Sequence, residues 1–250
     1  MTSSIPAIII AAGRGSRLDS LHDNKPKTLL PFDEDRRIID IILGSLRSAG
    51  IAEIVMVTGY QGDVLQDAVG DGRDRGMNIT YVDNPDWQKP NGLSVLAASG
   101  AVGDRQFLLS MSDHLYEPEP VQQLMNYPLE MNSAVVAIDR NLDGVHDIDD
   151  AMKLQTRREN SRDLVIAMDK SLREYDSVDC GLFKGTPELF RALEHAMAKG
   201  QMSLSNGCEE LIASEAMYGC DITGEFWIDV DTPAALEFAQ KRWKATPGSR

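Results

Sequence analysis

The sequence opens on a short apolar run that leads directly into a glycine-containing loop rich in positive charge. The run, residues 7–12 (AIIIAA), is continuous and rich in isoleucine, which predicts a buried strand. Gly13 and Gly15 follow it and allow backbone N–H groups to approach a ligand closely. Four cations stand in the same stretch: Arg14, Arg17, Lys25 and Lys27. Close backbone donors and concentrated positive charge together suit a bound triphosphate.

Two common phosphate-binding loops do not fit this stretch. A dinucleotide-binding G-x-G-x-x-G loop would need a third glycine where Leu18 stands, and an acidic residue after the second strand. The second strand-like run leads instead into residues 58–60 (TGY), and a Walker A loop is absent. A plain glycine-rich turn with solvated cations is the remaining alternative. The sequence Lys-Pro-Lys at residues 25–27 argues against it.

Composition bounds the class of protein. Among 250 residues, 25 are Lys or Arg and 39 are Asp or Glu, so the formal net charge is −14. Such a chain is a poor partner for nucleic acid or an anionic membrane, and a polyanion would need a local basic pocket. The cysteines form no C-x-x-C pair, and neither a signal peptide nor a membrane span is visible. We therefore expect a cytoplasmic protein with reduced thiols; a homodimer stays open.

The opening loop resembles a known signature. Residues 11–18 (AAGRGSRL), with Pro26-Lys27 and Leu30-Pro31, are similar to the motif of nucleotidyltransferases that activate phosphorylated sugars, polyols and cholines. The resemblance implies that Arg17 and Lys27 neutralise the charge that builds up during transfer, and that Lys25 assists. It also implies that the loop wraps the nucleotide phosphates with Ala11, Ala12, Gly13, Gly15 and Ser16. We expect Lys27 to be exposed in the pocket.

Strand-like and helical segments alternate along the chain. Apolar runs at residues 54–57, 79–82, 107–109 and 134–138 are separated by helical patterns, which favours a mostly parallel sheet with helices on both faces. Two further runs around a polar turn at 157–162 predict a hairpin. With the resemblance, this predicts one α/β domain over residues 1–250, a Rossmann-like, GT-A-like three-layer sandwich with a mixed, mostly parallel sheet. Its N-terminal half would bind the nucleotide and its C-terminal half the acceptor.

Acidic residues follow two predicted strands and are candidate Mg²⁺ ligands. Asp113 comes after the run 107–109, where ligands bind in open α/β sheets, and a hard oxygen ligand there suits a magnesium ion that bridges phosphates. The alternative for Asp113 is a helix N-cap. Asp229 and Asp231 follow a late strand, and Asp231 could equally cap the last helix at Thr232-Pro233. Spacing alone does not rank these two aspartates.

Motifs in the middle of the chain make the resemblance to one group of nucleotidyltransferases more specific. Asn-Pro-x-Trp at 84–87, Asn-Gly-x-Ser at 91–94, Ser-Asp-His at 112–114 and Asp-x-Gly-Leu-Phe at 179–183 look like inositol-1-phosphate cytidylyltransferases and close relatives. The resemblance implies that the base is recognised near Asn84, Asn91, Gly92 and Ser94. It also implies that the acceptor is held by Lys153, Lys170 and Asp179.

The resemblance implies a reaction and leaves alternatives. CMP would pass from CTP to a phosphorylated polyol or sugar, inositol 1-phosphate first, with release of pyrophosphate and with Mg²⁺ as cofactor. A sister enzyme could act on a hexose 1-phosphate, phosphocholine or 2-aminoethylphosphonate, and a non-catalytic nucleotide-sugar sensor could share the fold. An ammonium-binding site would need acids or an aromatic cage. Because aromatic residues are only 6% of the chain, the composition favours a hydroxyl-rich acceptor.

Overall fold

The structure is a computed structural model that describes residues 5–15, residue 18 and residues 25–245. Its strands are β1 (Ala7–Ala11), β2 (Glu53–Thr58), β3 (Asn78–Asp83), β4 (Phe107–Met111), β5 (His114–Tyr116), β6 (Ala134–Asp139), β7 (Lys153–Glu159), β8 (Arg162–Asp169), β9 (Ser177–Gly185), β10 (Met217–Asp221) and β11 (Trp227–Asp229). Its α-helices are α1 (Ile38–Ser48), α2 (Gly62–Val69), α3 (Gly92–Ala97), α4 (Ser99–Val102), α5 (Pro118–Asn126), α6 (Pro187–Ala198), α7 (Leu204–Ala213) and α8 (Pro233–Ala245).

A nine-stranded sheet in the order β3-β2-β1-β4-β9-β6-β10-β8-β7 forms the centre. β1 pairs in parallel with β2 and β4, and β6 pairs in parallel with β10. β9 runs antiparallel to β4 and β6, and β8 runs antiparallel to β10 and β7. The sheet is therefore mixed, as predicted, and its part β3-β2-β1-β4 is parallel throughout.

Hydrophobic side chains pack on both faces of the sheet and make a three-layer sandwich. Ile9 of β1 joins the core beneath α1, α2, α5 and α8. Ile8 and Ile10 point to the opposite core, which is closed by α3, α4, α6 and α7. All five residues of β1 are buried, which explains why this strand reads as a continuous apolar run without polar alternation.

Several predicted elements agree closely with the structure. The segment from Pro187 to Ala198 is helical, and the predicted hairpin is formed by β7 and β8. Its turn is tighter than the predicted stretch, because Asn160 and Ser161 both adopt positive φ angles and reverse the chain in two residues. Two short strands, β5 and β10, were absent from the prediction, since neither carries a long apolar run.

The topology gathers the candidate residues at one edge of the sheet. β1 and β4 are parallel neighbours, so the glycine loop after β1 and Asp113 after β4 emerge side by side. β9 runs the other way, and its first residues, including Asp179, therefore lie at this same edge beside Ile138 of β6. A separate two-stranded sheet of β5 and β11 pairs His114 with Asp229. No helix in the described part of the chain is long and apolar enough to cross a membrane.

Tyr116 anchors the small β5–β11 sheet, and this contact is open to test. Its side chain is fully buried, its hydroxyl lies 2.7 Å from Ser110 Oγ, and its carbonyl accepts a hydrogen bond from Ser45 Oγ. Y116F removes this buried hydrogen bond but leaves Ser110 Oγ its bond to the Met111 carbonyl, so the free energy of unfolding should fall by about 1 kcal/mol in urea denaturation. Y81F is the matched control, since the Tyr81 hydroxyl makes an exposed hydrogen bond. Equal losses in the two variants would contradict this role.

Candidate active site

Gly15 allows the loop after β1 to pack against Lys27. Its φ angle is +71°, and a Cβ at this position would collide with the Cβ and Cγ atoms of the Lys27 side chain. The start of the loop is tied to the end of β2, because Tyr60 N–H donates to the carbonyl of Ala12. Gly15 is therefore required for two reasons: its backbone adopts the left-handed conformation, and the Lys27 side chain leaves no room for a Cβ.

Lys27 forms the central charge contact of the site. Its Nζ lies 2.8 Å from Asp113 Oδ2 and 2.6 Å from Asp231 Oδ1. The residue is only 7% exposed, so the prediction that Lys27 is exposed in the pocket is wrong: two carboxylates cover the ammonium group. Burial by itself opposes the charged form, but Asp113 and Asp231 outweigh it and raise the lysine pKa above its ordinary value.

Asp113 lies in the turn between β4 and β5 and is not a helix cap, because Glu117 precedes α5. Burial disfavours its ionised form, yet Lys27 and a hydrogen bond from His114 hold the pKa of Asp113 well below its ordinary value. Near Asp231, the hydroxyl of Thr232 accepts a hydrogen bond from Ala235 N–H and supplies a cap for α8. Both aspartates thus present charge to Lys27.

His114 is a site residue that the sequence reading missed. Its Nδ1 lies 2.9 Å from Asp113 Oδ1, and its ring stacks on Trp227 at a centroid distance of 6.1 Å. Gly181 has φ +73°, and a Cβ there would overlap the His114 ring. The Asp-x-Gly sequence at 179–181 is thus explained: Asp179 accepts a hydrogen bond from Gly181 N–H, and the glycine makes room for the imidazole.

Burial shifts the pKa of each ionisable group around His114. Desolvation raises the pKa of Asp179 to about 6 and that of Asp229 to about 6. It opposes protonation of His114, but Asp229, Asp113 and Asp179 outweigh it and raise the histidine pKa to about 9. The ligand atoms of Asp113, His114 and Asp229 all lie within 4.8 Å of one another, a grouping that could hold a metal ion.

Two cavities meet at Asp113 and Asp231. One, of about 320 Å³, is bordered by the glycine loop, Lys27 and Trp87, and we call it the nucleotide cavity after the ligand that the sequence predicts for this loop. The other, of about 450 Å³, is bordered by His114, Asp179 and Trp227, and we call it the acceptor cavity after the ligand predicted for Asp179. Asn91, Met111, Asp113 and Asp231 line both. A ligand in each cavity would therefore face the same pair of carboxylates.

The predicted nucleotide-binding residues fall into two sets. Gly13, Gly15, Asn91 and Ser94 are among the described residues that line the nucleotide cavity, together with the unpredicted Trp87 and Lys89. The other described residues are not in this lining: Ala11 and Ala12 are buried, and Lys25 is exposed. Asn84 donates from Nδ2 to Ser94 Oγ at 2.9 Å, and Gly92 packs tightly against the backbone of Met202. Arg17 and Ser16 lie outside the described residues.

Of the predicted acceptor ligands, Lys170 and Asp179 are among the described residues that line the acceptor cavity, and Lys153 is not. Lys153 is 8% exposed, and its Nζ donates to the backbone carbonyls of Asp149 and Lys170. This geometry favours Lys170 over Lys153 as the lysine that could contact an acceptor. The Nζ of Lys170 pairs with Asp150 at 2.7 Å. Lys153 as an acceptor ligand stays a prediction.

Aromatic side chains are more frequent in the acceptor cavity than the average composition suggests. Phe226, Trp227 and Phe238 all line it, although aromatic residues are only 6% of the chain. The composition argument for a hydroxyl-rich acceptor therefore gains no support from the lining of this cavity.

The mixed sheet between two helical layers is the α/β fold of nucleotidyltransferases. The chain belongs to the family of MobA-like NTP transferase domains, and the model of that family matches residues 7–204.

Two curated relatives are bifunctional proteins named IPC transferase and DIPP synthase. The one from Rubrobacter xylanophilus is 31% identical over 239 residues, covering 95% of this chain and 51% of the relative. The one from Archaeoglobus fulgidus is 31% identical over 237 residues, covering 94% and 43%. The chain thus spans about half the length of these relatives.

A solved structure shares the fold. The inositol-1-phosphate CTP transferase from T. maritima superposes with a TM-score of 0.82 over 96% of both chains at 21% sequence identity. At this identity the likeness establishes the fold.

Replacing Lys27 with methionine should affect both stability and activity. Because K27M leaves the partly buried Asp113 and Asp231 without their shared cation, the free energy of unfolding should fall by about 1–3 kcal/mol in urea denaturation. Any nucleotidyl transfer should fall about 100-fold or more. K241M is the matched control, since Lys241 is on α8 with its side chain 73% exposed. A K27M protein as stable as K241M would refute the buried ion pairs.

The raised pKa of His114 gives a pH prediction for the metal-free protein. A folded pKa of about 9, above the ordinary 6.5, stabilises the fold fully below pH 6.5, and this contribution is lost as pH rises through 9. The free energy of unfolding in EDTA should therefore fall between pH 6.5 and 9, and fall less in H114N. Asp179 and Asp229 titrate near 6, below this window. H195N, at a histidine whose side chain is 64% exposed, should keep the wild-type slope.

Proposed function

We propose that this chain transfers CMP from CTP to a phosphorylated polyol, with inositol 1-phosphate as the first candidate, and releases pyrophosphate. The observation that carries the proposal is that Asp113 and Asp231 line both cavities, while Lys27 forms an ion pair with each of these two acids. Such an arrangement holds two substrates with their phosphates at one place, which is the main requirement for transfer by positioning. The T. maritima protein that shares the fold is named for inositol 1-phosphate and CTP, which supports these substrates.

In the proposed reaction an oxygen of the acceptor phosphate attacks the α-phosphorus of CTP in line. The bond from the α-phosphorus to the bridging oxygen breaks, and that oxygen leaves with pyrophosphate. No side chain becomes covalent. Lys27 lines the nucleotide cavity and would neutralise phosphate charge, with Arg17 as a second cation from the same loop.

The acids of the site fit Mg²⁺. Asp229 Oδ1 is buried and receives no hydrogen bond within the described part of the chain. A buried carboxylate oxygen without a donor is costly, and a cation would satisfy it. We propose that Asp113, with Asp229 or Asp231, holds the ion, which when bound would neutralise charge on the phosphates.

The division of labour follows the order of the chain. Apart from Asp231, the described lining of the nucleotide cavity comes from residues 10–113. Most of the acceptor cavity comes from residues 139–242, where Asp179 and Asp229 would accept hydrogen bonds from hydroxyl groups. This supports one domain that binds nucleotide with its first half and acceptor with its second. A homodimer and a cytoplasmic location stay predictions.

A second acceptor class is favoured by one observation. The acceptor cavity combines the aromatic rings of Phe226, Trp227 and Phe238 with several carboxylates. Aromatic faces and carboxylates also suit an alkylammonium group, as in phosphocholine or 2-aminoethylphosphonate. These compounds therefore belong in the substrate panel.

Pyrophosphate release measures the function directly. CTP, UTP, GTP and dTTP are each offered with inositol 1-phosphate, glucose 1-phosphate, phosphocholine or 2-aminoethylphosphonate in the presence of Mg²⁺. CTP with inositol 1-phosphate should give the highest rate and a CDP-linked product by mass spectrometry. Faster turnover of another pair would replace the proposed substrates. Binding of nucleotide without turnover of any pair would favour the sensor.

Variants connect that activity to the acids. D113N and D231N should each lower the rate about 100-fold or more, because each removes a charge shared by the two cavities. D67N is the matched control at an exposed aspartate of α2 and should keep the wild-type rate. Activity that survives in D113N would contradict the role of Asp113.

A further inference from the structure

We infer that Asp139 is a positioning residue for the acceptor, acting through the indole of Trp227. This inference rests on the proposed function, because it assigns a role in binding the second substrate. Trp227 Nε1–H donates to Asp139 Oδ2 at 2.8 Å, across 88 residues of sequence. Asp139 ends β6 in the large sheet and Trp227 begins β11 in the small one, so this bond ties the two sheets together.

Asp139 is built to hold the indole. The residue is 7% exposed, and its other oxygen, Oδ1, accepts a hydrogen bond from Asn141 N–H at 2.8 Å. Both oxygens therefore already receive a protein donor. Asp229 in the same cavity has an oxygen that receives none from the described residues. Asp139 is thus suited to orient Trp227, and Asp229 is suited to meet a ligand.

Trp227 transmits this orientation to the acids between the cavities. Its ring is nearly parallel to that of His114, with an interplanar angle of 5°. Gly181 occupies another side of the imidazole, and His114 Nδ1 lies 2.9 Å from Asp113 Oδ1. A fixed indole therefore keeps the histidine aligned with Asp113 and also forms part of the acceptor cavity wall. Loss of the Asp139 bond would loosen this wall before it affected the nucleotide cavity.

A double-mutant cycle tests the assignment. D139A, W227F and D139A/W227F are compared in kcat/KM for the acceptor and in KM for CTP, because alanine removes both acceptor oxygens whereas asparagine would keep one. Because the bond joins an indole N–H to a carboxylate, each single change should lower kcat/KM for the acceptor about tenfold. The double variant should be no worse than the poorer single one, since the bond is already lost. KM for CTP should stay within about twofold, because neither residue is in the described lining of the nucleotide cavity.

Additive losses in the double variant, or equal changes in both KM values, would overturn the inference. D143A is the matched control, since Asp143 is exposed and lies four residues from Asp139. It should keep wild-type constants. Thermal unfolding of each variant separates a folding defect from a loss of positioning.

A fluorescence measurement keeps this inference separate from the proposed function. In a W87F/W243F background Trp227 is the sole tryptophan, because the chain has three. Adding D139A should lower the anisotropy of its emission, because the indole loses the bond that restrains it, whether or not any substrate pair is turned over. Unchanged anisotropy would refute the role of Asp139 even in an active enzyme. A lower anisotropy in D139A, with no transferase activity in the wild-type protein, would refute the proposed function and leave the contact in place.

Discussion

The contact of Lys27 with Asp113 and Asp231 is the interaction on which the site depends. Lys27 is separated from these acids by 86 and 204 residues of sequence, so one ammonium group joins the glycine loop, the end of β4 and the segment before α8. Buried charges are tolerated when they are paired, and here each charge requires the others. The boundary between the two cavities is set by this arrangement.

Around that contact, the site divides its charge between two neighbouring regions. Lys27 and Lys89 line the nucleotide cavity and offset the shared Asp113 and Asp231, whereas the acceptor cavity adds Asp139, Asp179 and Asp229 beside Lys170. Desolvation raises the pKa of Asp179 and Asp229, and they in turn help to raise the pKa of His114. In a chain with a net charge of −14, positive charge in the nucleotide cavity is thus concentrated enough to balance its carboxylates, whereas carboxylates predominate in the acceptor cavity.

Sequence reasoning reached the fold and several of the residues that line the two cavities. Continuous apolar runs identified the buried strands of the parallel part of the sheet, and α6 agreed in both bounds because Pro187 marks its first turn. The prediction failed for short elements such as β5, whose three residues carry too little pattern. His114 was missed for a related reason: a single histidine after Asp113 gives no periodic signal, and its significance depends on Gly181 and Trp227, distant in sequence.

The sequence by itself determined the class of fold and the glycine and charge content of the opening loop, because local patterns of apolar residues, glycines and cations act over a few neighbouring positions. Only the tertiary structure decided the partners of that loop. It buried Lys27, turned Lys153 toward backbone carbonyls and brought three aromatic rings into one cavity. These outcomes depend on strand order and on pairing between distant segments, where the free energy of burying a charge selects its partner.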